Sequence, residues 1–212
     1  MKNIPVFTTE NGVATLILKE IPDQQTAYVI LRDSLEPEKL MEECREFCIA
    51  CGAERIYATG HAALERFPFF TAMWQTQCVR EMLPDTDAAL WPVQEKTLEQ
   101  WRELYNHKVR KAPNGAWMTR NDAREMLQKG DGYFIHRGEE LLGIGRASGE
   151  MLDWVAAVKP GAGRDVVLAL NHALSEDKAL LTVASANEKA VKLYESLGFL
   201  KIQELSKWYQ IF

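Results

Sequence analysis

Apolar and polar residues change their spacing several times along this chain, and each change marks an element. Val13 to Lys19 and Thr26 to Leu31 are β-rich runs, and Ile21-Pro22-Asp23-Gln24-Gln25 between them reads as a hairpin connection. After Glu36-Pro37-Glu38 the apolar residues Leu40, Cys44, Phe47, Cys48 and Cys51 recur at helical spacing, so they form one face of a helix that Gly52 ends. Ile56-Tyr57-Ala58-Thr59 and Thr71 to Cys78 then read as strands.

The polar, proline-containing stretch Leu83-Pro84-Asp85-Thr86-Asp87 breaks any continuing element. It divides the chain into a region 1–84 and a region 85–212. Beyond it, Leu98 to Tyr105 carries Leu98, Trp101, Leu104 and Tyr105 on one helical face, and Asn121 to Gln128 is a second helix capped by Asn121 or Asp122. Tyr133 to Ile135 and Leu141 to Arg146 are strands around a turn-rich loop, His136-Arg137-Gly138-Glu139-Glu140. Met151 to Val158 is a strand, Val166 to Leu174 a helix, Leu180 to Ala184 a strand, and Trp208 to Phe212 a last strand.

Alternation of this kind predicts an α/β (α+β) architecture: a mixed, mostly antiparallel sheet flanked by helices. A weak internal echo runs through it. The first region reads hairpin, helix, strand, strand with Met73-Trp74-Gln75, and the second ends helix, strand, helix, strand with Trp208-Tyr209-Gln210. The first region therefore reads as a degenerate half of the same fold, the alternative being an unrelated α/β cap.

Composition narrows the class. The 212 residues are 47% hydrophobic, enough for a substantial core, and no run approaches the roughly 18 apolar residues of a membrane span. Met1-Lys2-Asn3-Ile4-Pro5 lacks the apolar core of a secretory signal, so a cytoplasmic protein is expected. A formal charge of −5 leaves no electrostatic footprint for nucleic acid.

Cys44, Cys48 and Cys51 spell C-x-x-x-C-x-x-C, the spacing with which radical-SAM enzymes hold an iron–sulfur cluster. The same three residues fall on the apolar helical face, where free cysteines act as small hydrophobes. A zinc site borrowing His61 has no second ligand pair at finger spacing. No metal is expected.

Asn187, Ala190, Leu193, Tyr194, Gly198 and Phe199 stand in the pattern N-x-x-A-x-x-L-Y-x-x-x-G-F. Asn187 is a good N-cap, Ala190, Leu193 and Leu197 recur at helical spacing, and Gly198 falls where a left-handed residue ends a helix before the strand Phe199-Leu200-Lys201-Ile202. On geometry alone this is an amphipathic helix with Tyr194 on its rim. The segment also resembles the last conserved helix of the GNAT superfamily, the acyl-CoA-dependent N-acyltransferases, and the resemblance extends over roughly residues 91 to 212.

That resemblance implies acetyl-CoA as cosubstrate and a small-molecule or peptide amine as acceptor. Val158-Lys159-Pro160-Gly161-Ala162-Gly163-Arg164-Asp165 resembles the family's pyrophosphate loop, with Lys159 and Arg164 as local positive charge. It is shorter than the usual pattern, with Asp165 at a glycine position, where the carboxylate as N-cap would compete with phosphate. The pantetheine arm would lie along the strand Trp154-Val155-Ala156-Ala157-Val158, where small Ala156 and Ala157 permit a close approach, and Asn187 would orient the coenzyme. Tyr194 is the implied general acid for the leaving thiolate. Asp153 and Glu150 are candidates for the base, although each equally suits a solvated strand end, and alternation puts Asp153 on the face of Val155 and Ala157. His136, beside a turn, reads as solvated rather than catalytic, and His107 and His172 sit in helical contexts with no partner visible in the sequence. A GNAT-like module that binds acyl-CoA or a metabolite without turnover is the alternative to an enzyme.

Overall fold

In the computed structural model, residues 6–110, 112 and 115–212 are described. The stretch Met1 to Pro5, read above for a leader, lies outside them. In chain order the elements begin β1 (Val6–Thr9), β2 (Gly12–Ile17), α1 (Ile21–Gln24), β3 (Thr26–Ser34), α2 (Pro37–Ala50), β4 (Arg55–Thr59) and β5 (Phe69–Val79). They continue β6 (Ala89–Pro92), α3 (Leu98–Val109), α4 (Arg120–Lys129), β7 (Gly132–Arg137), β8 (Glu140–Ser148), β9 (Met151–Ala157), α5 (Gly163–Asn171), β10 (Lys178–Ala184), α6 (Glu188–Ser196) and β11 (Leu200–Gln210). No described helix is long and apolar enough to cross a membrane.

The chain forms two compact units, Met1–Met73 with Glu204–Phe212, and Trp74–Gln203. The sequence had placed one boundary at 84/85; the units divide at 73/74 and 203/204, inside β5 and β11. In the first unit the strands run β1-β2-β3-β4-β11, antiparallel except for the parallel pair β3 and β4. In the second they run β5-β10-β9-β8-β7-β6, and here β9 and β10 are the parallel pair. The mixed, mostly antiparallel sheet with flanking helices is therefore as the sequence predicts.

The order β2-β3-α2-β4-β5 matches β8-β9-α5-β10-β11, with differences at two places: α1 stands between β2 and β3, whereas a turn joins β8 to β9. Between β10 and β11 stands α6; between β4 and β5 there is only the short 3₁₀ turn Ala62–Arg66. Each unit is completed by a distant piece of chain. Tyr209 and Gln210 of β11 pair with Ala58 and Tyr57 of β4, and Thr76 of β5 donates through Oγ1 to the Leu181 carbonyl of β10 at 3.3 Å.

Burial explains the elements. In the first unit Leu40, Cys44 and Cys48 of α2 are buried against Leu16, Val29, Leu31 and Ile56. Phe47 and Cys51, which the spacing put on that face, are exposed instead: Phe47 lies at the edge of the core with its ring 5.3 Å from that of Phe7, and Cys51 stands just past the helix end. In the second unit α5 packs on one face of the sheet through Val166, Val167 and Leu170, and α3 with α4 covers the other through Trp101, Tyr105, Ala123 and Met126. Trp101 Nε1 donates to the Tyr133 carbonyl at 2.9 Å, fixing α3 on β7.

Local chemistry moved some ends. Thr119, not Asn121, caps α4, by exchanging bonds with Asp122 in a capping box. The β7–β8 loop is tighter than expected, with His136 and Arg137 in β7 and Glu140 in β8. β11 is one long strand where the sequence showed two, and β1 and β6 are short additions it did not show.

Candidate functional site

The site begins with two glycines on β8. A Cβ on Gly143 would stand 2.4 Å from Val166 Cγ2, and one on Gly145 would stand 2.2 Å from Leu170 Cδ1. Only residues without a side chain let α5 approach the sheet this closely. Its N-terminus is thereby placed directly after β9.

β9 and β10 are parallel neighbours, yet their register holds a single pair, Met151 with Leu180, reinforced by Leu180 N donating to the Glu150 carbonyl at 2.7 Å. Beyond that pair the strands part. On its other side β9 stays joined to β8 from Ser148–Met151 to Gly143–Ala157. Every second residue of β9 therefore turns its backbone groups toward the gap, where no strand meets them. Ala156 and Ala157 lie on that stretch, and their small side chains leave the edge approachable.

At the mouth of the gap the chain turns into α5. Val158 N and Lys159 N both donate to the Leu142 carbonyl, at 2.9 and 3.0 Å, and Gly161 takes a left-handed φ of 85° in open surroundings. Ala162 is the N-cap of α5 and supplies no side-chain cap. The first intrahelical bond is Val166 N to the Ala162 carbonyl, so the amides of Gly163, Arg164 and Asp165 have no intrahelical acceptor. These amides and the helix dipole suit an anion.

The charges around them differ from the sequence reading. Asp165 is in the first turn and is not the cap; its Oδ1 lies 3.0 Å from Arg137 Nη2. Arg137 also reaches Asp87 Oδ1, with Nη2 at 2.7 Å and Nε at 2.8 Å. Those hydrogen bonds lower the Asp87 pKa and raise that of Arg137. Lys159 is bound to Glu140 at 2.6 Å, whereas Arg164 is exposed and has no ion pair among the described residues.

Asn187 caps α6, its Oδ1 accepting from Ala190 N at 3.4 Å, and Gly198 follows the helix at φ 86°. Tyr194 is buried within the apolar cluster that also holds Ala162, Val183 and Phe199, its ring 5.8 Å from that of Phe199. Burial pushes its phenol up to about 12. Its hydroxyl meets no hydrogen-bond partner among the described residues. This is a core tyrosine rather than a rim residue.

The two carboxylates separate. Glu150 sits in the β8–β9 turn, at the joined end of β9 and β10, roughly 20 Å of strand from the mouth at Ala157. Asp153 is exposed and stands at a β-bulge, opposite the register shift between Arg146 and Ala147. The extra residue breaks the alternation assumed above. Val155 packs in the α5–α6 cluster, while Asp153 interacts with Arg146, Asp131 and Lys129 and is hydrogen-bonded by Ser148. Desolvation raises its pKa, with Arg146 opposing and Asp131 adding to the effect. Arg146 is itself held by the buried Asp131 at 2.7 Å.

One residue of the site was missed by the sequence reading, and a second, Trp154, was read only as part of the strand. Arg137 looked like part of a turn, and the only signal was an arginine facing Glu140 across the hairpin end. Trp154 lies on β9 against Tyr105, ring centroids 4.7 Å apart, and its buried Nε1 meets no acceptor among the described residues.

The cysteine-rich helix makes no comparable site. Burial pushes the Cys44 and Cys48 thiols up to about 12, inside an apolar cluster, and Cys51 stands in solvent at the helix end. The spacing of Cys44 and Cys48 puts both in that core, and Cys51 lies outside it. His61 accepts from Ala63 N at 3.1 Å, capping the 3₁₀ turn. No group of three or more His, Cys, Asp or Glu suited to a metal forms among the described residues.

No protein-family model matches the chain, and no curated protein matches it in sequence. Solved structures do match. A conserved protein of unknown function from Staphylococcus epidermidis aligns over 98% of this chain and 93% of its own, with TM-score 0.60 and 11% identity. A GCN5-related N-acetyltransferase from Kribbella flavida gives TM-score 0.57 at 13% identity over 96% of this chain and 58% of its own. Another, from Sphaerobacter thermophilus, gives 0.53 at 10% over 93% and 75%. At such identities the likeness is one of architecture, and the fold of this chain is that of the GCN5-related N-acetyltransferases.

Proposed function

We propose that the protein is a coenzyme A-dependent N-acyltransferase, moving an acyl group, in the simplest case acetyl, to a primary amine of a small molecule or peptide by direct attack. The observation that carries this reading is the parting of β9 from β10 after the single pair Met151–Leu180, with the uncapped start of α5 immediately beyond. An open strand edge beside three amides without intrahelical acceptors fits a ligand with an amide-bearing arm and an anionic end.

In this reading the backbone of Ala156, Ala157 and Val158 holds the pantetheine arm. The turn from Gly161 through Ala162, Gly163 and Arg164 to Asp165 cradles the pyrophosphate, and Asn187 orients the coenzyme from the start of α6. Acetyl-CoA supplies an activated thioester and a thiol leaving group. Amides on the β9 edge polarise the thioester carbonyl. Tyr194, kept protonated by its burial, donates its proton to the departing sulfur.

Asp153 is the better placed carboxylate to take the amine's proton, since Glu150 lies at the joined end of the strands. A raised pKa makes Asp153 a stronger base than an ordinary aspartate. The indole N–H of Trp154 offers an acceptor group of the amine substrate a donor on the α3 side.

Free-thiol release from acetyl-CoA in the presence of a panel of amines, together with calorimetric titration of acetyl-CoA, tests the reading. Binding at micromolar affinity with amine-dependent thiol release is expected. Binding without release by any amine would favour a non-catalytic acyl-CoA-binding module. Absence of both heat and thermal shift would end the coenzyme reading altogether.

A further inference from the structure

Arg137 is at the end of β7, and its guanidinium joins two carboxylates that stand in different places. Asp87 precedes β6 and is largely exposed; Asp165 belongs to the first turn of α5 and is 28% exposed. The guanidinium thus lies one side chain away from the amides of Gly163, Arg164 and Asp165. We propose that Arg137 is a phosphate ligand for the coenzyme nucleotide, positioned by Asp87 and masked by Asp165, so that binding exchanges the Asp165 carboxylate for a phosphate. This rests on the coenzyme A reading of the second unit.

The charge balance argues for exchange rather than simple addition. Arg137 with Asp87 and Asp165 leaves one net negative charge beside an uncapped helix start. A phosphate docked there with Asp165 in place would face that charge directly. If Asp165 swings away, Arg137 stands between Asp87 and the phosphate, and the planar guanidinium can meet both. A surface ion pair such as Arg137–Asp165 is weak and easily exchanged.

The neighbouring residues repeat the arrangement. Glu140 faces Arg137 across the hairpin end and holds Lys159, the first cation of the loop. Two cations beside the same uncapped turn are therefore occupied by internal carboxylates. The carboxylate of Asp165 is not used to cap its own helix, because it is turned to Arg137.

The opposite signs expected for the two aspartates make the proposal testable. Coenzyme A, 3′-dephospho-coenzyme A and pantetheine are titrated calorimetrically into the full chain and into Arg137→Gln, Asp165→Asn and Asp87→Asn, with thermal midpoints recorded for each. Arg137→Gln should weaken coenzyme A binding about tenfold, leave pantetheine unchanged, and lower the salt dependence of binding by about one ion. Asp165→Asn should tighten coenzyme A binding several-fold, and Asp87→Asn should weaken it. Loss of the Arg137→Gln effect with the dephospho compound assigns the contact to the 3′-phosphate; its persistence assigns it to the pyrophosphate. A pair of aspartate variants that both weaken binding, or both leave it unchanged, makes Arg137 a staple between hairpin and helix and overturns the proposal. A wild type that binds pantetheine and coenzyme A with equal affinity overturns the phosphate contact and leaves the acyl-transfer reading standing. Binding of none of the three ligands removes both.

Discussion

Met151 and Leu180 form the one register pair between β9 and β10, and the strands separate after it. The matching strands of the first unit, β3 and β4, stay paired from Thr26–Arg55 through to Ile30–Thr59. The same element order thus yields an open edge in one unit and a closed one in the other. A ligand that needs strand backbone has access only in the second.

One coenzyme per chain follows. Calorimetry with acetyl-CoA should give a stoichiometry of about one. A second site of comparable affinity would mean that the pairing of β3 with β4 opens in solution, and that the first unit also binds.

Gly163 is the first residue of α5, and a Cβ there would lie 3.1 Å from Leu193 Cδ2, a flexible side-chain end. Gly163→Ala should be tolerated with a small change in thermal midpoint. Gly163→Val, with more bulk beside the first amides, should weaken coenzyme binding by about tenfold or more if the pyrophosphate sits there. Equal affinities for wild type and Gly163→Val would move the phosphate elsewhere.

Tyr194→Phe should lower kcat by roughly 10²-fold while leaving coenzyme affinity nearly intact. The hydroxyl has no hydrogen-bond partner among the described residues, so neutral-pH stability should barely change. At high pH the sign is fixed by the phenol. Its folded value of about 12 exceeds the ordinary 10, so its stabilising effect is full below about pH 10 and is lost between there and pH 12. The Phe variant should show a shallower alkaline loss of stability than the wild type; an identical rate and an identical alkaline slope would deny Tyr194 both roles.

Asp153 carries a raised pKa, so folding penalises its charged form. Its stabilising effect is present below the unfolded carboxylate value and is lost as pH rises through the folded one. Asp153→Asn should therefore leave the neutral-pH midpoint unchanged or slightly higher. If Asp153 is the base, kcat/KM should fall about 10²-fold and the acid limb of its pH profile should vanish. An acid limb that survives the substitution places the base on another group.

The four cysteines should divide by burial. Cys51 is exposed, whereas Cys44, Cys48 and Cys78 are buried with thiols pushed up to about 12, 12 and 11. A thiol reagent at neutral pH should label Cys51 quickly and the other three only after unfolding. Rapid labelling of Cys44 and Cys48 in the native protein would show that α2 does not hold them in a core.

Several features of the fold and the site were legible from local signals. Asn187 as cap, Gly198 as the left-handed residue after the helix, and Leu40, Cys44 and Cys48 as a buried stripe depend on backbone conformation and helical spacing, which a few adjacent residues fix. Asp153 marks where this stops. Alternation put it beside Val155, but the bulge opposite Arg146 and Ala147 turned it toward Arg146, because register belongs to a pair of strands and not to one.

By itself the sequence determined the α/β alternation, the mixed sheet with its flanking helices, and the motif that resembles the last conserved helix of the GNAT superfamily. Tertiary structure alone decided that β11 completes the first unit and β5 the second, that β9 and β10 part while β3 and β4 do not, and that Arg137 meets Asp165. The physical reason is separation along the chain. Helix caps and apolar stripes arise from residues within a few positions of each other, whereas strand exchange, the width of a gap and an ion pair between Arg137 and Asp165 depend on how distant segments pack, and no local pattern records that.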